Sequence, residues 1–338
     1  MNSKQKLVKK WVLKVLLLLE VFMVFSMNFF FAFRTNTCIG VSPSVIPGNN
    51  WMSEIPGDIS LCDINIPGTN DSGTTFTTGV VTGLVASCQD DTIPEQLEKG
   101  IRYLDIRCDS DLNINHGGVA CYSSFLTIGK YKLTFPKLLD DIEKFLEENP
   151  SETVLLQLKK EGGGKGDFVK NINDSLKLSK RVFRSKDSCI SNISLDDVRG
   201  KIVILSKVKG IDVPYHFEGW KNDCTYCSSK LAGAVCVVQD NYKAKTHKEK
   251  MRVIENFYER VWNESLKNKF VINFTSCVGP YCPEFIAKKI NPKFESYVKQ
   301  NKGKKFGIIL MDVPKESLIS AIYSSNFSDA KSSAVPQV

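Results

Sequence analysis

The sequence predicts an α/β protein: an irregular (β/α)8 barrel of the TIM type, in a single domain behind an apolar N-terminal segment. Three observations predict it. Eight short apolar runs lie at residues 61–66, 101–106, 112–115, 153–158, 202–205, 234–238, 270–274 and 306–311. Several are rich in β-branched residues and bounded by Gly, Pro or charge, as buried parallel strands are. Helical patterns separate many of them. Polar and charged residues follow the runs directly, where a closed parallel barrel gathers its strand ends at one mouth. The runner-up, an open doubly wound sheet, finds no G-x-G-x-x-G or phosphate loop to support it.

The chain begins differently. Lys4, Lys6, Lys9, Lys10 and Lys14 precede or enter an apolar stretch over 15–19 and 21–33 that Glu20 interrupts. A basic region before an apolar one reads as a secretory signal. The stretch is also long enough to remain as an anchor, and Ala32 makes a poor cleavage site. Residues 1–34 are therefore read as a signal peptide or signal-anchor, 35–50 as a linker, 51–325 as the barrel and 326–338 as a tail. The protein is expected in the secretory pathway, secreted or membrane-anchored.

With 338 residues and 42% apolar composition, the chain suffices for one large core. Its net charge is +8, but residues 1–34 hold six Lys/Arg and one acid, and the remainder carries only about +3. That is too little for a nucleic-acid binder. The cationic run of Lys243, Lys245, Lys248, Lys250 and Arg252 reads as the solvated face of a helix. Eleven Cys behind a secretory leader predict several disulfides and one odd thiol. Cys224-x-x-Cys227 lacks a second ligand pair, so a disulfide-stapled loop is favoured over zinc. Sequons at Asn70, Asn173, Asn192, Asn263, Asn273 and Asn326 are compatible with a glycoprotein.

The helices follow from apolar periodicity. Residues 135–148 place Leu138, Ile142, Phe145 and Leu146 on one face, and Asn149-Pro150 stops the pattern. Residues 168–178 and 244–266 form two more, the latter with Val253, Phe257, Val261 and Trp262 as its stripe. Residues 283–300 begin on Pro283, and Pro292 is expected to break or kink them.

The residues after the strands form a constellation. Asn70 and Asp71 follow the first run, Arg107 the second, His116-Gly117 the third and Lys159 the fourth. Lys207, Asp240 and Asp312 follow later ones. A mouth lined by cations, a His and carboxylates suits a polyhydroxylated anion carrying a phosphate. Internal phosphoryl transfer needs a base for the attacking hydroxyl, an acid for the leaving alcohol and a cation for the non-bridging oxygens. Imidazole suits both proton steps, and guanidinium suits the phosphate. In isolation each residue has a plainer reading: His116 a structural His, Arg107 an ion pair with Asp105, Asp240 and Tyr242 a turn.

Several motifs occur in one order. They are Asn50-Trp51-Met52; Ile66-Pro67-Gly68-Thr69-Asn70-Asp71-Ser72-Gly73-Thr74; Gly100-Ile101-Arg102-Tyr103-Leu104-Asp105-Ile106-Arg107; Asn149-Pro150-Ser151-Glu152-Thr153 with Gln157-Leu158-Lys159-Lys160-Glu161; Arg199-Gly200-Lys201-Ile202-Val203; Val238-Gln239-Asp240-Asn241-Tyr242; and Ile272-Asn273-Phe274-Thr275-Ser276. Together they resemble the bacterial-type phosphatidylinositol-specific phospholipase C family, which includes glycosylphosphatidylinositol-cleaving relatives, over about residues 50–315. The resemblance implies a phosphoric diester hydrolase in which the inositol 2-hydroxyl attacks and diacylglycerol leaves. It implies His116 as general acid, Arg107 as phosphate clamp and Asp71 as its partner. Lys159, Asp240 and Lys207 would hold inositol hydroxyls, Tyr242 would pack on the ring, and Asp312 would orient the general base. The family has a His at position 70 and an Arg at position 207. Asn70 keeps hydrogen-bonding capacity without a titratable nitrogen.

Two functions stand on this reading: an inositol-lipid phospholipase C, or a non-enzymatic binder of inositol lipid or glycan anchor on the same barrel. Sequence offers three origins for Asn70: a sequencing or gene-model artefact, a natural loss, or an engineered change. Rescue by His216 or His247 is not expected. Eukaryotic relatives bind Ca²⁺ with acids, whereas Arg107 puts a cation there, so no metal and no cofactor are expected. The expected partners are an inositol phospholipid or GPI-type lipid and a membrane surface, with the protein as a monomer.

Overall fold

The computed structural model describes residues 46–79, 83, 85–185, 189–264, 269–278 and 282–327. The apolar leader, Cys38 and residues 328–338 lie outside them. Among the described residues no helix is long and apolar enough to cross a membrane.

Nine strands close into a barrel. In chain order the strands are β1 (Ile66–Thr69), β2 (Phe76–Thr77), β3 (Tyr103–Cys108), β4 (Asn115–His116), β5 (Val119–Tyr122), β6 (Val154–Lys160), β7 (Ile202–Ser206), β8 (Tyr215–Glu218), β9 (Cys227–Leu231), β10 (Ala234–Gln239), β11 (Lys269–Phe274) and β12 (Ile308–Met311). The barrel order is β1-β12-β11-β10-β9-β8-β7-β6-β3, closed by Gly68 against Tyr103. All neighbours are parallel except β9, which runs antiparallel to β8 and β10. Apart from β8 and β9, the barrel strands are almost wholly buried, consistent with their unbroken apolar runs.

Six of the eight expected strands are barrel strands; the run at 61–66 reaches β1 only at Ile66, because Leu61–Asp63 form a short 3-10 turn, and the run at 112–115 lies outside the barrel. The chain leaves β3, turns back within a few residues and pairs β4 with β5 in a small sheet of order β2-β5-β4. The missing barrel positions go to β8 and β9. Their sequences are Tyr-His-Phe-Glu, which runs from buried to exposed, and Cys-Ser-Ser-Lys-Leu, which alternates in burial, so neither carries an apolar run.

The helices are α1 (Ile93–Glu98), α2 (Phe135–Glu148), α3 (Phe168–Leu178), α4 (Leu195–Val198), α5 (His247–Asn263), α6 (Pro283–Gln300) and α7 (Glu316–Ser324). Leu138, Ile142, Phe145 and Leu146 of α2 are buried, as the periodicity requires. Pro292 does not break α6, which runs on through it. Proline there removes one backbone donor, and the buried face of Ile286, Ile290, Phe294 and Val298 holds the helix across the gap.

At the end opposite the mouth, Trp51 donates to the Gly100 carbonyl, and Arg102 Nε meets Glu152 Oε2 at 2.8 Å with both side chains fully buried. The remaining guanidinium donors reach the carbonyls of Leu97, Ile101 and Gly48, and Met52 N donates to Glu152 Oε1. The pair is therefore fully satisfied, the condition under which buried ions are tolerated.

One disulfide, Cys224–Cys227, occurs among the described residues. This is the expected stapled loop. Further bridges are expected from the sequence as well, but among the described residues Cys62, Cys88, Cys108, Cys121, Cys236, Cys277 and Cys282 form none. Of the sequons, Asn273 is fully buried in β11, which leaves no room for a glycan on the folded chain.

Candidate functional site

A cavity of about 710 Å³ opens at the C-terminal ends of the barrel strands. Asn70, Asp71, Arg107, His116, Lys159, Lys207, Asp240, Tyr242 and Asp312 all line it, so every residue expected at the site is brought together. His216 and His247 are not among the lining residues. His216 contacts the Val213 carbonyl through Nε2.

Arg107, near the end of β3, is the electrostatic centre. Its Nε lies 2.8 Å from Asp71 Oδ1, and NH2 lies 2.9 Å from Asp105 Oδ2. NH1 lies 3.2 Å from Glu161 Oε2. Burial works against its charge, but these three carboxylates hold its pKa well above the ordinary value. Glu161 also accepts from Lys159 Nζ at 2.9 Å and from the Gly117 amide at 2.7 Å. Despite partial burial, Arg107 and Lys159 hold its carboxyl down to about 2. Asp105 is buried too, and it accepts from Gln157 Nε2 at 2.6 Å. Arg107 and Lys207 overcome that burial and keep it below the usual carboxylate range.

Asp71 sits just past β1 with a left-handed backbone, φ 46°, uncommon for a residue with a side chain. Its carboxyl is buried and pushed up to about 6 by desolvation, against the pull of Arg107 and His116. Oδ2 faces His116 Nε2 at 3.4 Å.

His116 is delivered by the β4–β5 hairpin rather than by a barrel strand. Asn115 pairs with Ala120 and His116 with Val119, leaving a two-residue loop of Gly117 (φ 59°) and Gly118 (φ 87°). Both loop positions need positive φ, which Gly supplies freely. His116 Nδ1 lies 2.8 Å from the Ala86 carbonyl. A carbonyl only accepts, so Nδ1 carries a proton and Nε2 is presented to Asp71 and the cavity.

Asn70 stands opposite. Its Nδ2 donates to Asp312 Oδ1 at 3.0 Å, and its Oδ1 accepts from Arg107 at 3.3 Å. Its backbone is pinned by the Met311 carbonyl and by Gln89 Nε2. Desolvation pushes the Asp312 carboxyl up to about 7, and the bond from Asn70 only partly offsets this.

The far wall is built differently. Lys207 Nζ lies 3.3 Å from the centre of the Trp220 ring, and burial lowers its pKa to about 8. Trp220 Nε1 donates to Asp240 Oδ2 at 3.1 Å. Asp240 N donates to the Cys224 carbonyl, which ties the stapled loop to this wall of the cavity.

Sequence reasoning named no site role for Asp105, Glu161, Gln157, Trp220 and Cys88. In the sequence, Asp105 reads only as an ion-pair partner of Arg107 and Glu161 only as part of a quoted motif. Asp105, Glu161 and Gln157 lie within the motifs already quoted, at alternate positions of β3 or in and just past β6, and that register was the available signal. Trp220 belongs to a loop whose place depends on the antiparallel β9, which left no pattern.

Asp71, Cys88 and His116 present ligand-type atoms within 4.8 Å of one another. A metal there would have to share Asp71 with the Arg107 guanidinium. Cys88 is buried, and its thiol pKa is raised well above the ordinary value, first by desolvation and then by Asp312 and Asp71. Cation repulsion and a protonated thiol both oppose metal binding.

Residues 64–208 match the family described as phosphatidylinositol-specific phospholipase C, X domain. The chain is 28% identical, over 94% of its length and 98% of the relative's, to a 1-phosphatidylinositol phosphodiesterase of Listeria monocytogenes. Residues 64–208 thus carry the match to that X domain, and the chain as a whole is similar to the bacterial-type enzymes. A second relative, the 1-phosphatidylinositol phosphodiesterase of Staphylococcus aureus, is 23% identical over 92% of this chain and 98% of its own. The solved phosphatidylinositol-specific phospholipase C of L. monocytogenes superposes with a TM-score of 0.68 at 26% identity, covering 84% of this chain and all of that one. A mutant S. aureus phosphatidylinositol-specific phospholipase C shares the fold with a TM-score of 0.71 at 23% identity, covering 83% and 98%.

Proposed function

We propose that this chain is an inositol-phospholipid phosphodiesterase of the phospholipase C type, slowed by the absence of a titratable base at position 70. One observation carries the reading: Arg107, Asp71 and His116 converge on one side of a cavity whose opposite wall offers Lys207, Asp240 and Tyr242. Arg107 supplies planar donors for the non-bridging phosphate oxygens. Lys159, Lys207 and Asp240 meet hydroxyls of the ring, and Tyr242 packs on its face.

In the reaction the inositol 2-hydroxyl oxygen bonds to phosphorus, and the bond from phosphorus to the glycerol oxygen breaks. His116 enters the step protonated on both nitrogens beside the Asp71 carboxylate. Its Nε2 gives its proton to the glycerol oxygen, so diacylglycerol leaves neutral and His116 is left neutral with its proton on Nδ1. The 2-hydroxyl proton meets no imidazole at position 70 and passes to water. Losing a positioned base costs a factor of about 10²–10⁴.

Asn70 also favours a second reading, in which the same pocket recognises an inositol lipid or glycan anchor without turnover. Cleavage of phosphatidylinositol vesicles by the wild type and by Asn70→His separates the two. Slow but measurable wild-type release of inositol phosphate supports the enzyme. Binding without release supports the recognition protein. Equal rates for both proteins would refute the account of the missing base.

A further inference from the structure

Lys250 lies in the first turns of α5, and its side chain is fully buried, unlike those of Lys248 and Arg252 beside it. This departs from the solvated face expected for the cationic run. The ammonium meets two acceptors: Gln239 Oε1 at 3.0 Å and the Asn241 carbonyl at 2.8 Å. Gln239 is fully used as well. Its Oε1 also accepts from Asn241 N at 2.7 Å, and its Nε2 donates to Asn273 Oδ1 and the Phe274 carbonyl. Residues 239 and 241 are thus anchored from behind, while Asp240 and Tyr242, alternating with them, line the cavity.

An apolar side chain of similar length would fill this volume without desolvating a charge. We propose that Lys250 is a positioning residue of the inositol pocket. It fixes the 239–242 turn through Gln239 and Asn241 and presents a buried positive charge to Asp240 from the side away from substrate. The identity of the ligand rests on the phosphodiesterase reading above; the coupling of Lys250 to Asp240 does not.

The surrounding charges agree. Burial pushes the Asp240 carboxyl up. Lys207, the Trp220 indole and Lys250 oppose this, while Asp105 adds to it. Lys250 is itself pulled down to about 8 by burial, against Cys277, Asp240, Asp312 and Asp223, so it is charged at neutral pH. A carboxylate that accepts from a hydroxyl must be ionised, and the cation behind it extends that state to lower pH.

The test uses the full chain and its Lys250→Met and Lys250→Gln variants. The Asp240 carboxyl is followed by ¹³C NMR without ligand, inositol 1-phosphate binding by calorimetry from pH 5 to 8, and folding by thermal melts. In Lys250→Met the Asp240 titration midpoint should rise, and the loss of binding at low pH should begin at higher pH. Affinity at pH 6 should fall about tenfold, as expected for the loss of one charge-assisted interaction. Lys250→Gln keeps a donor but no charge, so it should show the same carboxyl shift with a smaller loss of affinity. In the wild type, the Asp240 resonance should show a second inflection near pH 8 as Lys250 loses its proton. A wild type whose Asp240 resonance does not respond when Lys250, followed at its own Cε resonance, loses its proton overturns the proposal whether or not the variants fold. So do folded variants with an unmoved Asp240 midpoint. A wild type that shows the inflection but binds no inositol phosphate sinks the functional reading and leaves the coupling standing.

Discussion

Asn70 bridges Asp312 and Arg107: its amide nitrogen donates to Asp312 Oδ1 at 3.0 Å while its oxygen accepts from Arg107 at 3.3 Å. The amide joins the carboxylate on one side of the mouth to the guanidinium on the other. Both neighbours keep a partner although no imidazole is present.

That bridge sets the first expectation. In Asn70→His, one imidazole nitrogen takes the place of the amide against Asp312 and the other faces the attacking hydroxyl. Release of inositol phosphate from phosphatidylinositol vesicles should rise about 10²–10⁴-fold. Thermal melts should change little, because the partners are already in place.

Binding and chemistry should separate by residue. Arg107→Ala removes the phosphate partner and Asp240→Ala a hydroxyl acceptor. Charge-assisted hydrogen bonds contribute roughly 1.5–3 kcal/mol each, so calorimetry with inositol phosphate should show affinity falling about ten- to a hundredfold in either variant. His116→Ala should leave ground-state affinity nearly unchanged and abolish cleavage, since a general acid acts in the transition state. A large affinity loss in His116→Ala would assign His116 to binding instead.

Asp312 makes stability depend on pH. Its carboxyl titrates near 7 in the folded chain, against about 3.9 when unfolded. Between those values the native state holds a proton that the unfolded chain has released, so stability falls as pH rises from about 4 to 7. The slope is at most about 1.4 kcal/mol per pH unit for this group. Asp71, near 6, adds in the same direction. Urea midpoints at pH 4.5, 6 and 7.5 should decline for the wild type and decline less for Asp312→Asn. Equal slopes would remove Asp312 from the account.

In the proposed reaction, the Arg107 guanidinium balances the phosphate charge that a divalent cation could otherwise balance. Inositol phosphate binding, and any cleavage, should therefore survive EDTA. Loss with chelator and recovery with Ca²⁺ would show that the guanidinium does not serve in the ion's place.

At the opposite end of the barrel, Glu152→Ala should leave the Arg102 charge buried without its partner. Breaking such a pair costs about 3–5 kcal/mol, readable as a lowered urea midpoint. Cavity binding should be unaffected in protein that remains folded.

The sequence showed the parallel strands because they are buried on both faces and read as apolar runs. It hid β8, which passes from core to solvent along its length, and β9, which alternates between the two as the antiparallel strand. It also misassigned 112–115, since Leu112 and Ile114 look the same in a barrel strand as in a short connection. The cavity was easier to read than the wall. Asp71, Arg107, Lys159, Lys207, Asp240 and Asp312 follow or end strands, and that rule holds even where the strand count is wrong. His116 was found despite its misassigned strand, because the Gly117-Gly118 loop carries it to the mouth. Lys250 was read as solvated because its neighbours are. Helical spacing alone does not show that one lysine of a charged run turns inward to Gln239.

The amide at position 70 has a genetic consequence as well. Asparagine and histidine codons differ only in their first base. The pocket's other contacts do not depend on an imidazole being present. On the proposed reading, a lineage carrying this chain therefore stands one nucleotide substitution from placing an imidazole between Asp312 and the attacking hydroxyl.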